Sequence, residues 1–197
     1  MRVVEALVRT AAPTVPAISL ADAKAHLRVQ HSEEDALITA LVKAVEADFE
    51  RQTNRALMRG TYLFTTSQFA PDSAGLISIN KCPLHEVSQI IYFDANGQQQ
   101  TLGTSVYRVN ALAEPWHIEL KQGQSWPATD ARTDAVQVTF TAGYAAAADV
   151  PADYIAAMKL LLGHLYENRE AVSPTQMNEV PMGYRSIVNM AAVNRFR

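Results

Sequence analysis

Between Ile18 and Leu57 the chain reads ISLADAKAHLRVQHSEEDALITALVKAVEADFERQTNRAL, and everything else has to accommodate that stretch. It predicts a short helix, a break and a long amphipathic helix. Ser19 suits an N-cap, with Asp22 three residues on to act back on it. A second start is expected at Ser32, where Glu33, Glu34 and Asp35 place negative charge on the positive end of a helix dipole. Leu37, Leu41, Val45 and Phe49 recur every four residues, and Ile38 and Val42 widen the same apolar face. Arg51 and Arg55 occupy the last turns, where the dipole favours cations. Such a helix, over residues 33–55, would run on the order of 33 Å. One face is too apolar to stand alone, so a partner helix is required.

That partner is predicted only after residue 150. Val150-Pro151-Ala152-Asp153 opens a helix with proline in the first turn, where it is tolerated. Ile155, Met158, Leu162 and Leu165 then form an apolar face, broadened by Leu161 and Tyr166, that suits the face of Leu37, Leu41, Val45 and Phe49. Gly163 inside it costs up to about 1 kcal/mol relative to alanine, which implies close backbone contact there. Residues 171–181 (AVSPTQMNEVP) read as a mobile linker, and 182–192 as a last short helix carrying Ile187, Val188 and Met190. Residues 193–197 form a tail. From Met182 onward Arg185, Arg195 and Arg197 meet no acid, and with Phe196 they make a candidate partner-binding tail. Deleting 183–197 is expected to leave a folded subunit unable to dock.

The period changes between the helical parts. Tyr62–Thr66, Ile77–Ile79, Val87–Phe93, Val106–Val109, Trp116–Leu120 and Val136–Phe140 are rich in β-formers with alternation, and Asn96-Gly97 signals a tight hairpin. Residues 60–142 thus read as an inserted antiparallel β-rich unit. Residues 1–17 read as an extended arm, able to add to a sheet or to bind a neighbouring subunit, and ordered only on a partner. The fold class expected is α+β: one domain whose helical core is 18–57 with 150–192, with the β unit inserted.

Composition narrows the chemistry. With 197 residues, 48% hydrophobic and 19% charged, the chain has material for a real core. A formal net charge of −3 gives no electrostatic case for wrapping nucleic acid. The lone Cys82 excludes an internal disulfide framework and reads as a small buried residue. No window approaches the roughly 20 apolar residues of a membrane span, and no signal-peptide pattern opens the chain, so an intracellular product is expected.

Searches for catalysis return little. The phosphate-binding, dinucleotide-binding, zinc-protease and nucleophile-elbow signatures do not occur. His164 and Glu167 stand three apart on one helix, as metal ligands can, and a small metal-dependent enzyme is the alternative they raise. A helix-end polar cluster with Asn168, Arg169 and Glu170 explains them more simply. Residues 19–55 mimic a helix-turn-helix, but three acids open the second helix where phosphates would lie. No catalytic, cofactor or metal residue is assigned. Trp116 and Trp126 lie beside prolines in the β unit, where burial is the default, and Met158 and Met190 read as core.

The wording of several stretches resembles one family. ISLADAKAHLRV followed by EEDALI, then ERQTNRAL, YRV, GQSWP, FTAGY, VP and HLYENRE occur in the order found in small head–tail connector (adaptor) proteins of tailed phages, prophages and gene transfer agents. The resemblance spans nearly the whole chain. It implies a virion protein, made in the host cytoplasm and resident in the neck. There it forms a ring, dodecameric by the resemblance, under the portal protein. It extends the DNA channel, touches the genome in passing, and docks a head-closure or tail-completion protein. The β unit makes this chain longer than the smallest members.

Overall fold

The computed structural model describes residues 4–69, 75–168 and 182–193. The chain divides into two compact units: residues 1–13, 59–143 and 193–197 form one, and 14–58 with 144–192 form the other. Strands fill the first and helices the second, so the class is α+β.

The helical unit begins with α1 (Leu20–Leu27), where the Ser19 hydroxyl accepts from the Asp22 amide at 3.0 Å and donates to its carboxylate at 2.6 Å. Arg28, in left-handed backbone at φ 58°, ends it. The long helix α2 spans Asp35–Thr53, starting later than Ser32 suggests. Ser32 offers its backbone carbonyl, not its hydroxyl, to the Asp35 amide at 3.2 Å, and Glu34 occupies the cap position without a side-chain bond to the helix's own amides.

The buried stripe of α2 is Ile38, Val42, Val45 and Phe49. Leu41 is partly buried, and Leu37 is 37% exposed. This corrects the expected centre of the face. At 3.6 residues per turn, steps of four drift steadily around the helix, so 37-41-45-49 leaves the core at one end, whereas 38-42-45-49 stays on one side.

Helix α3 (Ala152–Glu167) buries Tyr154, Ala157, Met158, Leu161 and Leu162, with Ile155 and Leu165 partly buried at its margins. Phe49 meets Tyr154 with ring centroids 5.1 Å apart. Helix α4 (Met182–Ala191) adds Tyr184, Val188 and Ala191 to the same core. Two expectations fail here. Met190 is not core but 74% exposed. Removing 183–197 would strip Tyr184, Val188 and Ala191 from that core, so the deletion would cost stability and would not leave the fold intact. Nor does Gly163 mark a tight approach: a Cβ there would meet the nearest atom, Nε2 of His26, at an ordinary 3.7 Å. The linker 171–181 and the tail residues Arg195, Phe196 and Arg197 lie outside the described residues.

The β unit contains β1 (Glu5–Ala11), β2 (Gly60–Thr66), β3 (Ile77–Ile79), β4 (Leu84–Phe93), β5 (Gln99–Thr101), β6 (Tyr107–Asn110), β7 (Trp116–Leu120) and β8 (Val136–Ala142). Five form one antiparallel sheet in the order β1-β2-β8-β4-β5, and three form a second, β3-β7-β6. Strands β2 and β8 alternate buried and half-buried positions along their length, the pattern of a sheet with one face on a core. Trp116 of β7 meets Phe140 of β8 at 5.0 Å, and Tyr62 of β2 lies over Phe140 at 5.5 Å, so aromatic rings join the sheets. The β4–β5 turn is fixed by Asp94, whose carboxylate accepts from the Asn96 and Gln98 amides at 2.9 and 3.0 Å, with Gly97 at φ 74°. The expected free arm is, over Glu5–Ala11, an edge strand paired with β2 from Glu5↔Thr66 to Ala11↔Thr61.

Candidate interaction surfaces

The residues that raised a metal reading do not converge. His164 is half-buried near the end of α3 and Glu167 is exposed; the His164 carbonyl accepts from the Asn168 amide at 3.0 Å and from its side chain at 2.8 Å. Among the described residues no three His, Cys, Asp or Glu side chains gather in metal-binding geometry. Cys82 is buried, and Trp116 donates its indole N–H to the Lys81 carbonyl at 3.0 Å. Trp126 stacks on Phe69 at 4.9 Å. Those groups are committed to structure.

The acids at the start of α2 face neighbouring side chains. Asp35 pairs with Lys24 of α1 at 2.6 Å, and Glu34 accepts from the Tyr166 hydroxyl of α3. They tie three helices at one end, leaving no basic groove there for a DNA backbone.

Farther along α2, carboxylates grip the chain where it enters and leaves the helical unit. Glu46 accepts from the Ile18 amide at 2.9 Å, and Glu50 accepts from the Leu57 amide at 2.8 Å. Burial pushes the Glu46 carboxyl above its ordinary value; the Ile18 and Ala17 amides pull it back, and the Glu50 charge adds to the rise. Asp48, between them, anchors α4 by accepting from the Tyr184 hydroxyl at 2.7 Å. Burial opposes its ionisation, but bonds from Tyr184, Arg51 and Gln52 outweigh burial and hold it below the ordinary value. Burial and the Asp48 charge together push the Tyr184 phenol upward. Arg55 completes the clasp by donating to the Ala191 carbonyl at 2.7 Å.

Besides Val15 and Leu37, large apolar side chains among the described residues are exposed in three places. Strand β1 presents Val4, Leu7 and Val8, with Val8 57% exposed. Leu112, between β6 and β7, is 98% exposed. In the helical unit Met182, Met190 and Leu160 are exposed, and Arg185 of α4 is exposed too. The sequence flagged Arg185, and it flagged the arm 1–17 that holds β1 as able to add to a sheet or bind a neighbouring subunit, but it did not flag Leu112. The signal for β1 was present in Val3, Val4, Leu7 and Val8, an apolar set without clean alternation. Leu112 carried none.

No curated protein matches the sequence. Solved structures match the fold across almost its whole length. A chain from the neck of an empty gene transfer agent particle computed with C6 symmetry aligns with a TM-score of 0.80 at 22% identity, covering 98% of this chain and 97% of that one. A chain from the virion of a native gene transfer agent particle aligns at 0.78 and 21% identity, covering 97% of each. A third, from the neck of a native particle computed with C12 symmetry, aligns at 0.74 and 21% identity over 98% of this chain and 97% of that one. Residues 17–112 match the family of phage gp6-like head-tail connector proteins. That match takes in α1, α2 and strands β2 to β6, a little under half of the chain, and through it the chain is similar to the gp6-like head-tail connector family.

Proposed function

We propose that this protein is a structural connector of a phage-like particle: it assembles as a ring beneath the portal, extends the DNA channel and docks the next neck or tail component. The family match over residues 17–112 carries this reading. Likeness of fold to chains from particle necks supports extending it to the rest of the chain, β unit included. The physical character agrees. A ring built from heterologous contacts needs two different adhesive surfaces per subunit, and the exposed apolar residues of β1 and of α4 are candidates. A conduit through which DNA slides should not neutralise many phosphates, because each one strengthens binding; a net charge of −3 suits that role. Partner docking is assigned to Arg185 and to the tail residues Arg195, Phe196 and Arg197. The site of action is the particle neck, and the reading contains no catalytic step.

The test is deletion of the gene followed by electron microscopy of the particles. DNA-filled or leaking heads without tails, beside free tails of normal form, are expected. Intact, infectious particles would overturn the reading.

A further inference from the structure

The five-stranded sheet has two different edges. At one end, β1 pairs with β2 along its length and, among the described residues, with no strand on its other side. At the other end, β5 covers only Ile91–Phe93 of β4, and the Leu102 amide bonds the Ile90 carbonyl. Among the described residues, Leu84–Gln89 of β4 therefore have no strand beside them on the side away from β8. A strand edge is a row of backbone donors and acceptors that adds a further strand readily, above all when long and apolar. β1 has seven residues, no proline, and Leu7 and Val8 exposed; the open part of β4 has six residues.

We infer that the subunit contact of the ring is a strand pairing: β1 of one copy lies antiparallel against the open half of β4 in the next. This rests on the ring assembly proposed above. Direction and side both fit. β1–β2, β2–β8 and β8–β4 are each antiparallel, so β1 and β4 run oppositely within one sheet. A second copy related by a small rotation brings its β1 to β4 in antiparallel sense, the commoner kind of pairing.

The faces fix the register. Leu7 pairs with Phe64, and Val87 pairs with Phe140, so both lie on the aromatic, core-facing side. Val8 pairs with Leu63 and Glu86 with Thr141, both on the other side. Placing Leu7 opposite Val87 sets Val8 opposite Glu86 and continues the apolar face from copy to copy. Register shifts in β4 at His85 and Ser88 leave Glu86 and Val87 as the regular segment between two bulges. Bulges keep an edge from recruiting unrelated strands, and these centre the contact on those two residues. Because the two edges differ in sequence, the contact is heterologous, as ring closure requires.

The test uses particles produced with Val8→Cys and Glu86→Cys together on the full chain, both positions being exposed, treated with a short thiol cross-linker and run on denaturing gels. A ladder of cross-linked subunits is expected from the double variant and none from either single variant; wild type, with its buried Cys82, reports the background. Leu7→Cys with Val87→Cys reads the same register from the other face. Cross-linking of the Val8→Cys single variant would mean that β1 meets β1, which overturns the proposal. So would the absence of a ladder in both double variants while the protein is present in the neck, an outcome that leaves the ring itself standing. Absence of the wild-type protein from the neck would overturn both readings.

Discussion

At the residue scale, the distinction between Leu37 and Ile38 decides which face of α2 is core. Phe49→Ala removes a fully buried ring and is expected to cost about 3–5 kcal/mol. Leu37→Ala should stay below about 1 kcal/mol, because much of that side chain is already in water. Denaturant melts of the two variants check the pair, and comparable losses would contradict the burial pattern. Gly163→Ala is expected to stabilise by up to about 1 kcal/mol, since the added methyl has room and gains helix propensity; a lowered Tm would show that the site is tighter than the 3.7 Å clearance to His26. Glu46 has its own signature. Its carboxyl lies above the ordinary 4.5 in the folded chain, so the folded state binds that proton more tightly than the unfolded one. Wild type should therefore gain stability relative to Glu46→Gln as pH falls from neutrality towards 4.5. Asp48 has the opposite sign: its contribution is full above the ordinary 3.8 and is lost as pH falls through its lower folded value. A relative loss by wild type in the first window would contradict the assignment.

Among the elements, α4 shows how a helix with few core residues is kept in place. Tyr184, Val188 and Ala191 bury, while the Tyr184–Asp48 and Arg55–Ala191 bonds orient it. Tyr184→Phe keeps the ring and deletes one bond to a charged acceptor, worth about 1.5–3 kcal/mol. Amide exchange across 182–191 should accelerate while the α2 core keeps its protection; unchanged exchange would mean that packing alone holds α4. The elements differed in legibility for physical reasons. Helices α1 and α3 and the turn at Asp94–Gly97 announced themselves through capping, proline placement and Asn-Gly, all local signals. The cap of α2 misled, because two of the three acids after Ser32, Asp35 and Glu34, satisfy side chains of α1 and α3 instead of extending the helix backward. Strand β1 was legible as extended chain able to add to a sheet or bind a neighbour, but its place beside β2 was not, since β2 lies some fifty residues away and the side chains of β1 are exposed on both faces. The clasp of Glu46 and Glu50 on backbone amides left no trace in the sequence, where both look like solvated helix charges.

For the whole molecule, sequence order and three-dimensional grouping part company. The chain reads as one helical core with an insertion, yet the strand that precedes the first helix joins the β unit, so the two units exchange chain at residues 13–14, 58–59, 143–144 and 192–193. Family wording was legible because it lies in contiguous stretches; the proposed ring contact was not, because it would fall on strand edges that meet no other strand among the described residues. The account stands on the claim that this chain is a ring-forming component of a particle neck. The most direct measurement is a cryo-electron microscopy reconstruction of the neck from particles that carry the intact gene. Density that fits this chain, repeated around the channel axis with a β1 strand beside each neighbour's β4, is the predicted result. A neck in which no density fits this chain would contradict the account.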